Sequence, residues 1–263
     1  MIKFSIIINT HNQDKYIYDA INSCLKQTYK NYEIIIIDSS NYKINIKKYF
    51  NIKKKIRYIH IKPTNLQPEL NQINKIILGF KKSKGDYLVF LDGDDIFNKN
   101  KLAELDKISE KKKILCNQDL PILFNKIHKK KMFKKKYKNK FFTNYLLNNW
   151  PQIFGTSSIV VRKDILKLFI RKAKPLKWKY IAIDAQLILF CNKYLIYSNY
   201  LEGLTLKRLH EKNLGSSYMN IFKRKFWERR YMQFNYSEYL GIKTKINLDY
   251  IITRTIYFIF KNL

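Results

Sequence analysis

Three aspartates stand almost side by side in a chain that is otherwise strongly basic. Asp92, Asp94 and Asp95 are three of only 20 acidic residues, against 52 lysines and arginines. Neighbouring carboxylates repel one another unless a cation neutralises them, and hard divalent cations prefer such oxygen ligands. Gly93 permits a sharp turn between the first two aspartates. The cluster predicts a site for a divalent cation, with a solvated turn or helix cap as the alternative.

Polar side chains follow three apolar segments of the amino-terminal third of the chain. The predicted strand Phe4–Asn9 leads into Thr10-His11-Asn12, and the predicted strand Tyr32–Asp38 leads into Ser39-Ser40. The acidic cluster follows a further predicted strand, Tyr87–Leu91. Ligands of open α/β sheets bind beyond the carboxyl ends of the strands. We therefore expect the three polar segments to line a single ligand site.

The elements that must position these residues alternate between strand and helix, which predicts an α/β fold with a mostly parallel sheet. Four consecutive isoleucines at 34–37 indicate a strand covered on both faces. The spacing of apolar residues predicts a helix capped by Asp14 and a second over Leu70–Lys82, ended by Gly85. Further predicted strands are Ile56–Ile61, Ile159–Val161 and Leu204–Arg208; further predicted helices are Lys99–Lys111, Phe141–Asn149, one that Asp164 opens, and Asp184–Asn192.

Several function classes are disfavoured by what the sequence lacks. No Gly-x-Gly-x-x-Gly follows the first strand and no Walker lysine loop is present, so a dinucleotide enzyme or a P-loop NTPase is not expected. The three cysteines are far apart and lack zinc-ligand spacing, which favours a reducing compartment. Neither a signal peptide nor a long apolar span is evident. We expect a cytoplasmic protein, soluble or peripheral on the inner face of the membrane.

The order of the motifs resembles the opening of family 2 glycosyltransferases. The matching residues are Phe4–Asn12, Ser23, Gln27–Tyr29, Glu33–Asp38, Gly79, Ser83, Gly85–Tyr87 and Leu91–Asp95. The dense part of the resemblance covers residues 2–97, with sparser matches near 155–164, at Asp184 and over 208–216. The resemblance implies a GT-A fold and an inverting, metal-dependent sugar transfer from a nucleotide donor, with UDP expected as the nucleotide.

On the donor side, the resemblance implies contacts from the first two strand ends. Thr10 and Asp38 would contact the nucleotide base and the nearby ribose, and Asn12 would belong to the same donor-binding loop. Two departures from the family pattern bear on this part of the site. Ser39 replaces a second aspartate, and Ile76-Ile77 replaces an Arg-Asn pair before Gly79. We therefore expect altered ribose contacts and an unusual donor preference.

At the diphosphate, the resemblance implies a divalent cation, Mn²⁺ or Mg²⁺. Asp94 would bind the cation that bridges the two phosphates, and Asp92 would contact the ribose or a metal-bound water. Arg208 and His210 match the family's late Arg-x-His segment, which closes on the diphosphate. His210 is included with Asp92 and Asp94 as a candidate metal ligand; the alternative is an ordinary surface-loop histidine.

On the acceptor side, the resemblance implies a catalytic base. Asp184 corresponds to the aspartate of the family's Glu-Asp pair, although Ile183 stands where the glutamate is expected. It would take the proton of the acceptor hydroxyl; the alternative is a helix cap. Gly155 and Thr156 would line the acceptor loop. Trp150 would either stack on a sugar of the acceptor or lie in the core.

The formal net charge of +32 predicts an anionic partner, unless it reflects the lysine-rich composition typical of AT-rich genomes. The alternative functions are a basic nucleic-acid-binding protein, which the lysine runs favour but which lacks a recognition motif, and an inactive glycosyltransferase-like protein.

We predict a catalytic domain over 1–217, with a nucleotide-binding half at 1–97 and an acceptor-binding half at 98–217. Residues 218–263 would form a basic, aromatic helical region that either meets an anionic membrane or packs on the domain. The expected pathway is cell-surface polysaccharide, capsule or lipooligosaccharide synthesis, with a glycan or lipid-linked glycan as acceptor.

Overall fold

The computed structural model describes residues 1–46, 55–112, 115–124, 131–132, 150–194, 197–198, 201–210, 220–243 and 246–262. The strands are β1 (Phe4–Thr10), β2 (Tyr32–Asp38), β3 (Ile56–His60), β4 (Tyr87–Asp92), β5 (Ile96–Phe97), β6 (Cys116–Gln118), β7 (Leu120–Phe124), β8 (Lys131–Met132), β9 (Ile159–Arg162), β10 (Tyr197–Ser198) and β11 (Glu202–Arg208). The helices are α1 (Ile17–Leu25), α2 (Pro68–Lys82), α3 (Lys101–Lys112), α4 (Lys163–Ala173), α5 (Ile183–Lys193), α6 (Arg224–Tyr239) and α7 (Leu248–Asn262), with 3₁₀ turns at Thr156–Ser158 and Pro175–Lys177.

The central sheet brings the predicted strand ends to one edge. Its order is β10-β6-β9-β4-β1-β2-β3, and β1 lies between β2 and β4, parallel to both. Thr10 is opposite Asp38 on one side of β1, and Asn9 is opposite Asp92 on the other. β9 runs antiparallel to β4 and β6, whereas the pairs β2–β3 and β6–β10 are parallel. The predicted mostly parallel sheet is therefore confirmed.

Helices cover this sheet on both faces because its inner strands are apolar throughout. Ile34 to Ile37 of β2 are all fully buried, as the run of four isoleucines predicts. On β1, Ile6 and Ile8 pack in the cluster that contains α1, whereas Ile7 points the opposite way toward α2. The two hydrophobic clusters fix the positions of the strand ends.

A second sheet, which the sequence did not predict, carries the late polar segment back to the acidic cluster. Its four strands have the order β5-β11-β7-β8. β5 begins directly after Asp95, and its Ile96 pairs with Leu206 in the antiparallel β11. Since β11 ends at Arg208, the pairing places that arginine beside the acidic residues that precede β5.

Two residues predicted to cap or terminate helices do not do so. α1 has Tyr16 at its amino-terminal cap position and no side-chain cap, because Tyr16 N and Ile17 N both donate to Gln13 O in a backbone turn; Asp14 is not the cap. α2 ends at Lys82, as predicted, but Ser83 and not Gly85 occupies its carboxyl-terminal cap position. Gly85 instead lets β1 approach closely: a Cβ there would lie 2.7 Å from Ser5 N.

The carboxyl-terminal helices form a hairpin whose first member is docked on the rest of the chain. Tyr236 of α6 is fully buried and its hydroxyl donates to Gln186 O of α5 at 2.9 Å. α7 packs on α6, with the rings of Tyr257 and Tyr231 stacked at 4.1 Å. The predicted helix at Phe141–Asn149 and the proposed boundary at 217/218 lie outside the described residues. Within the described part of the chain, no helix combines the length and the apolarity that a membrane crossing requires.

Candidate active site

Asp92 lies at the end of β4, between β1, α2 and the turn that precedes β9. Its Oδ1 accepts hydrogen bonds from Asn9 Nδ2 at 2.7 Å and from Gln72 Nε2 at 2.9 Å. Its backbone N–H donates to Ser157 Oγ at 2.9 Å. Two side-chain amides and a fixed backbone therefore orient this carboxylate, as required of a group that must meet a ligand in one geometry.

Asp94 and His210 come together although 115 residues separate them in the sequence. Asp94 Oδ2 and His210 Nε2 are 2.7 Å apart, and the imidazole stacks on the Tyr16 ring with centroids 5.3 Å apart. Arg208 Nε donates to Asp94 O at 2.9 Å. The predicted meeting of the late Arg-x-His segment with the acidic cluster is thus present in the fold.

Arg208 makes several contacts within the protein. One guanidinium nitrogen donates to Asp19 Oδ2 at 2.9 Å, and the guanidinium carbon lies 4.7 Å from the centre of the Tyr16 ring. The Asp19 side chain is 56% exposed, and an ion pair with an exposed partner contributes about 1 kcal/mol or less. The arginine can therefore exchange this aspartate for a bound phosphate at small cost.

Asp95 ties the acidic cluster to the second sheet. Its Oδ1 accepts from the backbone N–H of Arg208 at 2.8 Å, and its Oδ2 accepts from Ser157 Oγ–H at 2.6 Å. Ser157 is held in turn through its backbone oxygen by the Lys101 ammonium at 3.0 Å, and Lys101 forms a buried ion pair with Asp119. These bonds define the shape of the cluster, and sequence reasoning assigned no role to Ser157 or Lys101.

The acidic cluster carries negative charge that a bound cation would neutralise. Burial and the charge of Asp94 raise the pKa of Asp92, and burial together with the charges of Asp94 and Asp92 raises the pKa of Asp95. Among the described residues, no three His, Cys, Asp or Glu side chains are already gathered into a metal site. The Asp94 carboxylate and the His210 imidazole nevertheless converge, and both are ligand types that Mn²⁺ accepts. The residues present therefore fit a divalent cation.

The residues predicted to bind the nucleotide lie at the ends of β1 and β2. Asp38 is fully buried; its Oδ1 accepts from Ser40 N at 2.8 Å and its Oδ2 accepts from the Tyr58 hydroxyl at 2.6 Å. Asn12 adopts a left-handed conformation with φ 51°, which asparagine tolerates, and its backbone N–H donates to Ser40 Oγ at 2.7 Å. The predicted donor-binding residues at these two strand ends thus lie in one hydrogen-bonded layer.

Sequence reasoning missed two buried polar residues of α2. Gln72 Nε2 bridges Asp92 Oδ1 and Thr156 Oγ1, the latter at 3.2 Å. Lys75 is 4% exposed as a residue, and its ammonium donates to the carbonyl of Thr10 at 2.9 Å. Burial lowers the pKa of Lys75 to about 8, against the opposing effects of the charges of Asp92 and Asp38. The sequence did carry a signal for them. Two polar side chains stand three residues apart in a helix whose other side chains contact the core.

One departure from the family pattern lies next to these two residues. The expected Arg-Asn pair before Gly79 is Ile76-Ile77, and Ile76 is buried in the core. Lys75, directly before this pair, contacts the end of β1, and Gln72, about one turn earlier, contacts the end of β4. The unusual donor preference expected from this departure stays a prediction.

Two glycines bring backbone close to the site. A Cβ at Gly93 would lie 2.7 Å from both Thr10 Oγ1 and Gln13 Oε1, so a side chain there would press β4 away from β1. Gly155 has φ 104°, and a Cβ there would lie 2.5 Å from the Lys207 ammonium. Thr156 is buried beside Gln72, so the predicted acceptor loop Gly155–Thr156 adjoins the acidic cluster.

Two predicted acceptor-side residues are not in contact with the cluster. Asp184 lies in the first turn of α5, where its Oδ1 accepts from Ala185 N at 2.7 Å; no hydrogen bond or ion pair among the described residues joins it to Asp92 or Asp94. Trp150 packs edge-on against Phe234 of α6, with centroids 5.1 Å apart. Its ring is engaged in a core contact, and sugar stacking by Trp150 stays a prediction.

The sequence is similar to known glycosyltransferases over part of its length. Residues 5–169 match the family described as glycosyl transferase family 2. An uncharacterized glycosyltransferase of Rickettsia felis is 33% identical over 162 residues, which are 60% of this chain and 25% of that protein. AmsB, the amylovoran biosynthesis glycosyltransferase of Erwinia amylovora, is 31% identical over 106 residues, 39% of this chain and 34% of AmsB. The aligned part of the chain spans about a third or less of these relatives.

Solved structures share the fold across nearly the whole chain. Staphylococcus aureus TarS 1-349 in complex with UDP gives a TM-score of 0.60 at 18% identity, covering 99% of this chain and 71% of that chain. The mannosyltransferase PcManGT from Pyrobaculum calidifontis, in complex with GDP-Man and Mn²⁺, gives 0.58 at 10% identity, covering 98% and 69%. At these identities the likeness establishes the fold, which is the predicted GT-A fold. Because the family match covers more than half of the sequence, this chain belongs to glycosyl transferase family 2.

Proposed function

We propose that the protein is an inverting glycosyltransferase that moves a sugar from a nucleotide donor, UDP in the first instance, to a hydroxyl of a glycan in cell-surface polysaccharide, capsule or lipooligosaccharide synthesis. The observation that carries the proposal is the convergence of Asp92 and Asp94 with Arg208 and His210 at the carboxyl edge of the sheet. TarS, which shares the fold, has been solved with UDP and with UDP-GlcNAc, and this supports the choice of nucleotide.

The roles proposed for the donor side follow from where the groups lie. Asp38 and Thr10 end adjacent strands in register and would face the base and ribose, with Lys75 as a buried positive charge behind them. Arg208, released from the exposed Asp19, would bind the diphosphate oxygens. Bidentate guanidinium contacts strengthen as charge moves onto the leaving diphosphate, so they favour the transition state over the bound donor.

We propose that the reaction is metal-dependent. Asp94 and His210 would hold Mn²⁺ or Mg²⁺, with Asp92 beside them. When bound, the cation supplies positive charge that offsets the negative charge gained by the leaving nucleoside diphosphate. Burial and then the charges of neighbouring carboxylates raise the pKa values of Asp92 and Asp95, and a bound cation would offset both effects, which supports this assignment.

For the acceptor side we propose Asp184 as the base. Inversion requires attack from the face opposite the leaving group, so the acceptor hydroxyl must lose its proton on the side away from the diphosphate. Asp184 lies, partly buried, in the first turn of α5, and no described hydrogen bond joins it to the acidic cluster, which is consistent with that separation. Gly155 and Thr156 would line the path between the two groups.

The proposed partners are a nucleotide sugar, a glycan or lipid-linked glycan acceptor, and the anionic inner surface of the cell membrane. The net charge of +32 supports an anionic surface as partner. The cysteines, buried thiols at positions 24, 116 and 191, support a reducing compartment.

The test is turnover and binding with a panel of UDP- and GDP-sugars, with Mn²⁺, with Mg²⁺ and with chelator. We expect one donor to be hydrolysed slowly in the presence of metal and to raise the melting temperature. An Asp184→Asn variant should still bind that donor but lose transfer to an acceptor. No metal-stimulated turnover and no melting shift with any donor would refute the proposal.

A further inference from the structure

Helix α7 buries two polar residues and exposes several large apolar residues. Asp249 and Thr253, 6% and 0% exposed, face the protein, whereas Ile251 and Ile259 are 51% and 53% exposed. A surface helix of a globular protein has the opposite arrangement, with an apolar stripe on the core. The outward face of α7 therefore exposes more large apolar side chains to water than a surface helix normally does.

The buried side of α7 is fixed by specific contacts with α6, so the helix cannot simply be rotated. Arg230 of α6 forms an ion pair with Asp249, and its Nε also donates to Thr253 Oγ1 at 3.1 Å. Stacking of Tyr231 on Tyr257 adds a further contact on the same side. At the helical period, the residues of the opposite side fall on one continuous stripe. The large apolar residues on this stripe are Leu248, Ile251, Ile252, Phe258 and Ile259, each at least 39% exposed, and the exposed Thr255 lies among them.

A second pair of exposed apolar residues lies at the same end of the hairpin as the carboxyl end of α7. Ile221 and Phe222, 52% and 84% exposed, precede α6. Tyr231 contacts Phe258 late in α7, and Phe234, further along α6, contacts Tyr250 early in α7, so the two helices run antiparallel. The start of α6 is therefore brought toward the end of α7.

The hairpin also has a strong excess of positive charge. Over residues 220–243 and 246–262 the basic residues are Lys223, Arg224, Lys225, Arg229, Arg230, Lys243, Arg254 and Lys261, and the acidic residues are Glu228, Glu238 and Asp249. Two of the three acidic side chains are already paired, Glu228 with Arg224 and Asp249 with Arg230. Arg254 and Lys261 flank the apolar stripe of α7 and are exposed. A second copy of the chain would bring two such basic surfaces together and be repelled.

We propose that this outward face of α7, together with Ile221-Phe222, docks on an anionic phospholipid bilayer. Apolar side chains on one face of an interfacial helix enter the boundary between headgroups and acyl chains, and basic residues at its edge attract anionic headgroups. This inference rests on the proposed function in one respect, the choice of a membrane as partner. It adds which element of the chain makes the contact. It places the hairpin between the catalytic domain and the lipid.

The experiment measures co-sedimentation of the full chain with vesicles of phosphatidylglycerol and phosphatidylcholine in equal amounts, and with phosphatidylcholine alone. The variant Ile251→Gln/Ile259→Gln keeps the net charge and changes exposed residues only. The matched control Leu66→Gln/Leu176→Gln makes the same chemical change at residues that are 44% and 47% exposed elsewhere. A third variant, Lys223→Gln/Lys225→Gln, removes charge and leaves the apolar stripe intact.

We expect the wild type and the control to bind anionic vesicles, and the Ile251/Ile259 variant to bind about tenfold more weakly or worse. The lysine variant should lose affinity mainly at low ionic strength. Equal binding by the isoleucine variant and the control, or no binding of the wild type to anionic vesicles, overturns the proposal. A wild-type dimer that the isoleucine variant alone converts to monomer, with vesicle binding unchanged, also overturns it. The melting shift with UDP and Mn²⁺ is measured on all variants; its absence in the wild type counts against the catalytic proposal and not against docking.

Discussion

At the scale of single residues, the site is a set of carboxylates whose charges are incompletely balanced by the protein. Asp92 is held by two amides, Asp95 by a hydroxyl and a backbone N–H, and Asp94 by the imidazole of His210. The amides, the hydroxyl and the backbone N–H orient the carboxylates without supplying a full positive charge, so the mutual repulsion persists. Carboxylates that are rigidly oriented but incompletely neutralised by the protein are suited to a ligand that binds together with a cation.

Asp94→Asn should reduce metal-stimulated donor turnover by about 100-fold or more, because the amide cannot replace the negative charge that holds a cation. The measurement is hydrolysis of the preferred nucleotide sugar as a function of Mn²⁺ concentration. The control is Asp164→Asn, which changes an exposed aspartate paired with Arg162 far from the cluster. Unchanged metal dependence in Asp94→Asn would show that another group binds the cation.

Lys75 makes a prediction about stability and pH. Its pKa falls from the ordinary value of 10.5 to about 8 because the ammonium is buried. Between these two pH values the unfolded chain keeps the proton that the folded chain releases, so the free energy of unfolding rises with pH there. The rise attributable to Lys75 is about 3 kcal/mol, an order-of-magnitude figure.

The check is urea unfolding of the wild type and of Lys75→Met at pH 7 and pH 10.5. The difference between the two proteins should change across this interval, since the variant lacks the titrating group. Lys81→Met on the exposed side of the same helix is the control and should follow the wild type. A Lys75→Met protein with the same pH dependence as the wild type would contradict the burial argument.

At the scale of elements, α2 both closes the core and delivers polar groups to the site. Gly79 is where it approaches β1 most closely: a Cβ there would lie 2.6 Å from Cγ2 of Ile7, which is fully buried. Ile7 lies three residues before Thr10, whose carbonyl accepts from Lys75 on the same helix. The distance between α2 and β1 therefore also sets the position of the strand end predicted to bind the donor.

Gly79→Ala should destabilise the protein, because overpacking costs about 1–3 kcal/mol and exceeds the gain of about 1 kcal/mol from placing Ala in a helix. Thermal and urea unfolding measure the change. Asn74→Ala, on the partly exposed side of the same helix, introduces the same residue without the contact and should lie within about 0.5 kcal/mol of the wild type. If Gly79→Ala is as stable as Asn74→Ala, the close approach is not a constraint.

At the scale of the whole molecule, the charge of +32 acts on the folded state as repulsion among like charges. Compaction brings these charges closer together, whereas the unfolded chain separates them. Salt screens this repulsion within a Debye length of about 8 Å at physiological ionic strength. The same field attracts anionic surfaces and donors, so the charge that opposes folding also assists association.

We therefore expect the melting temperature to rise as sodium chloride is added from low ionic strength, by about 2 °C for each kcal/mol of stability gained. Differential scanning calorimetry across a salt series measures this shift, and potassium glutamate in place of chloride controls for specific anion binding. A melting temperature independent of salt would mean that local ion pairs, and not net repulsion, dominate the electrostatics of the fold.

The sequence alone determined much of the fold because the relevant signals are local. The run of isoleucines at 34–37 predicts a strand buried on both faces, and the polar residues after β1, β2 and β4 predict the edge where a ligand binds. Local patterns failed where a contact from elsewhere decided the outcome. The proposed cap at Asp14 is replaced by backbone bonds to Gln13 O, and the two-residue strand β5 exists only because β11 pairs with it.

Only the tertiary structure decided which of the candidate residues meet. Asp94 and His210 are brought to 2.7 Å by the pairing of β5 with β11, a contact between segments too short and too distant in sequence for periodicity to register. Gln72 and Lys75 reach the site because α2 packs closely against β1, and Gly79 permits this close packing. No local sequence pattern predicts how closely a helix and a strand will pack. Residue type fixes what a side chain can do, but the long-range packing of strands and helices fixes what it can reach.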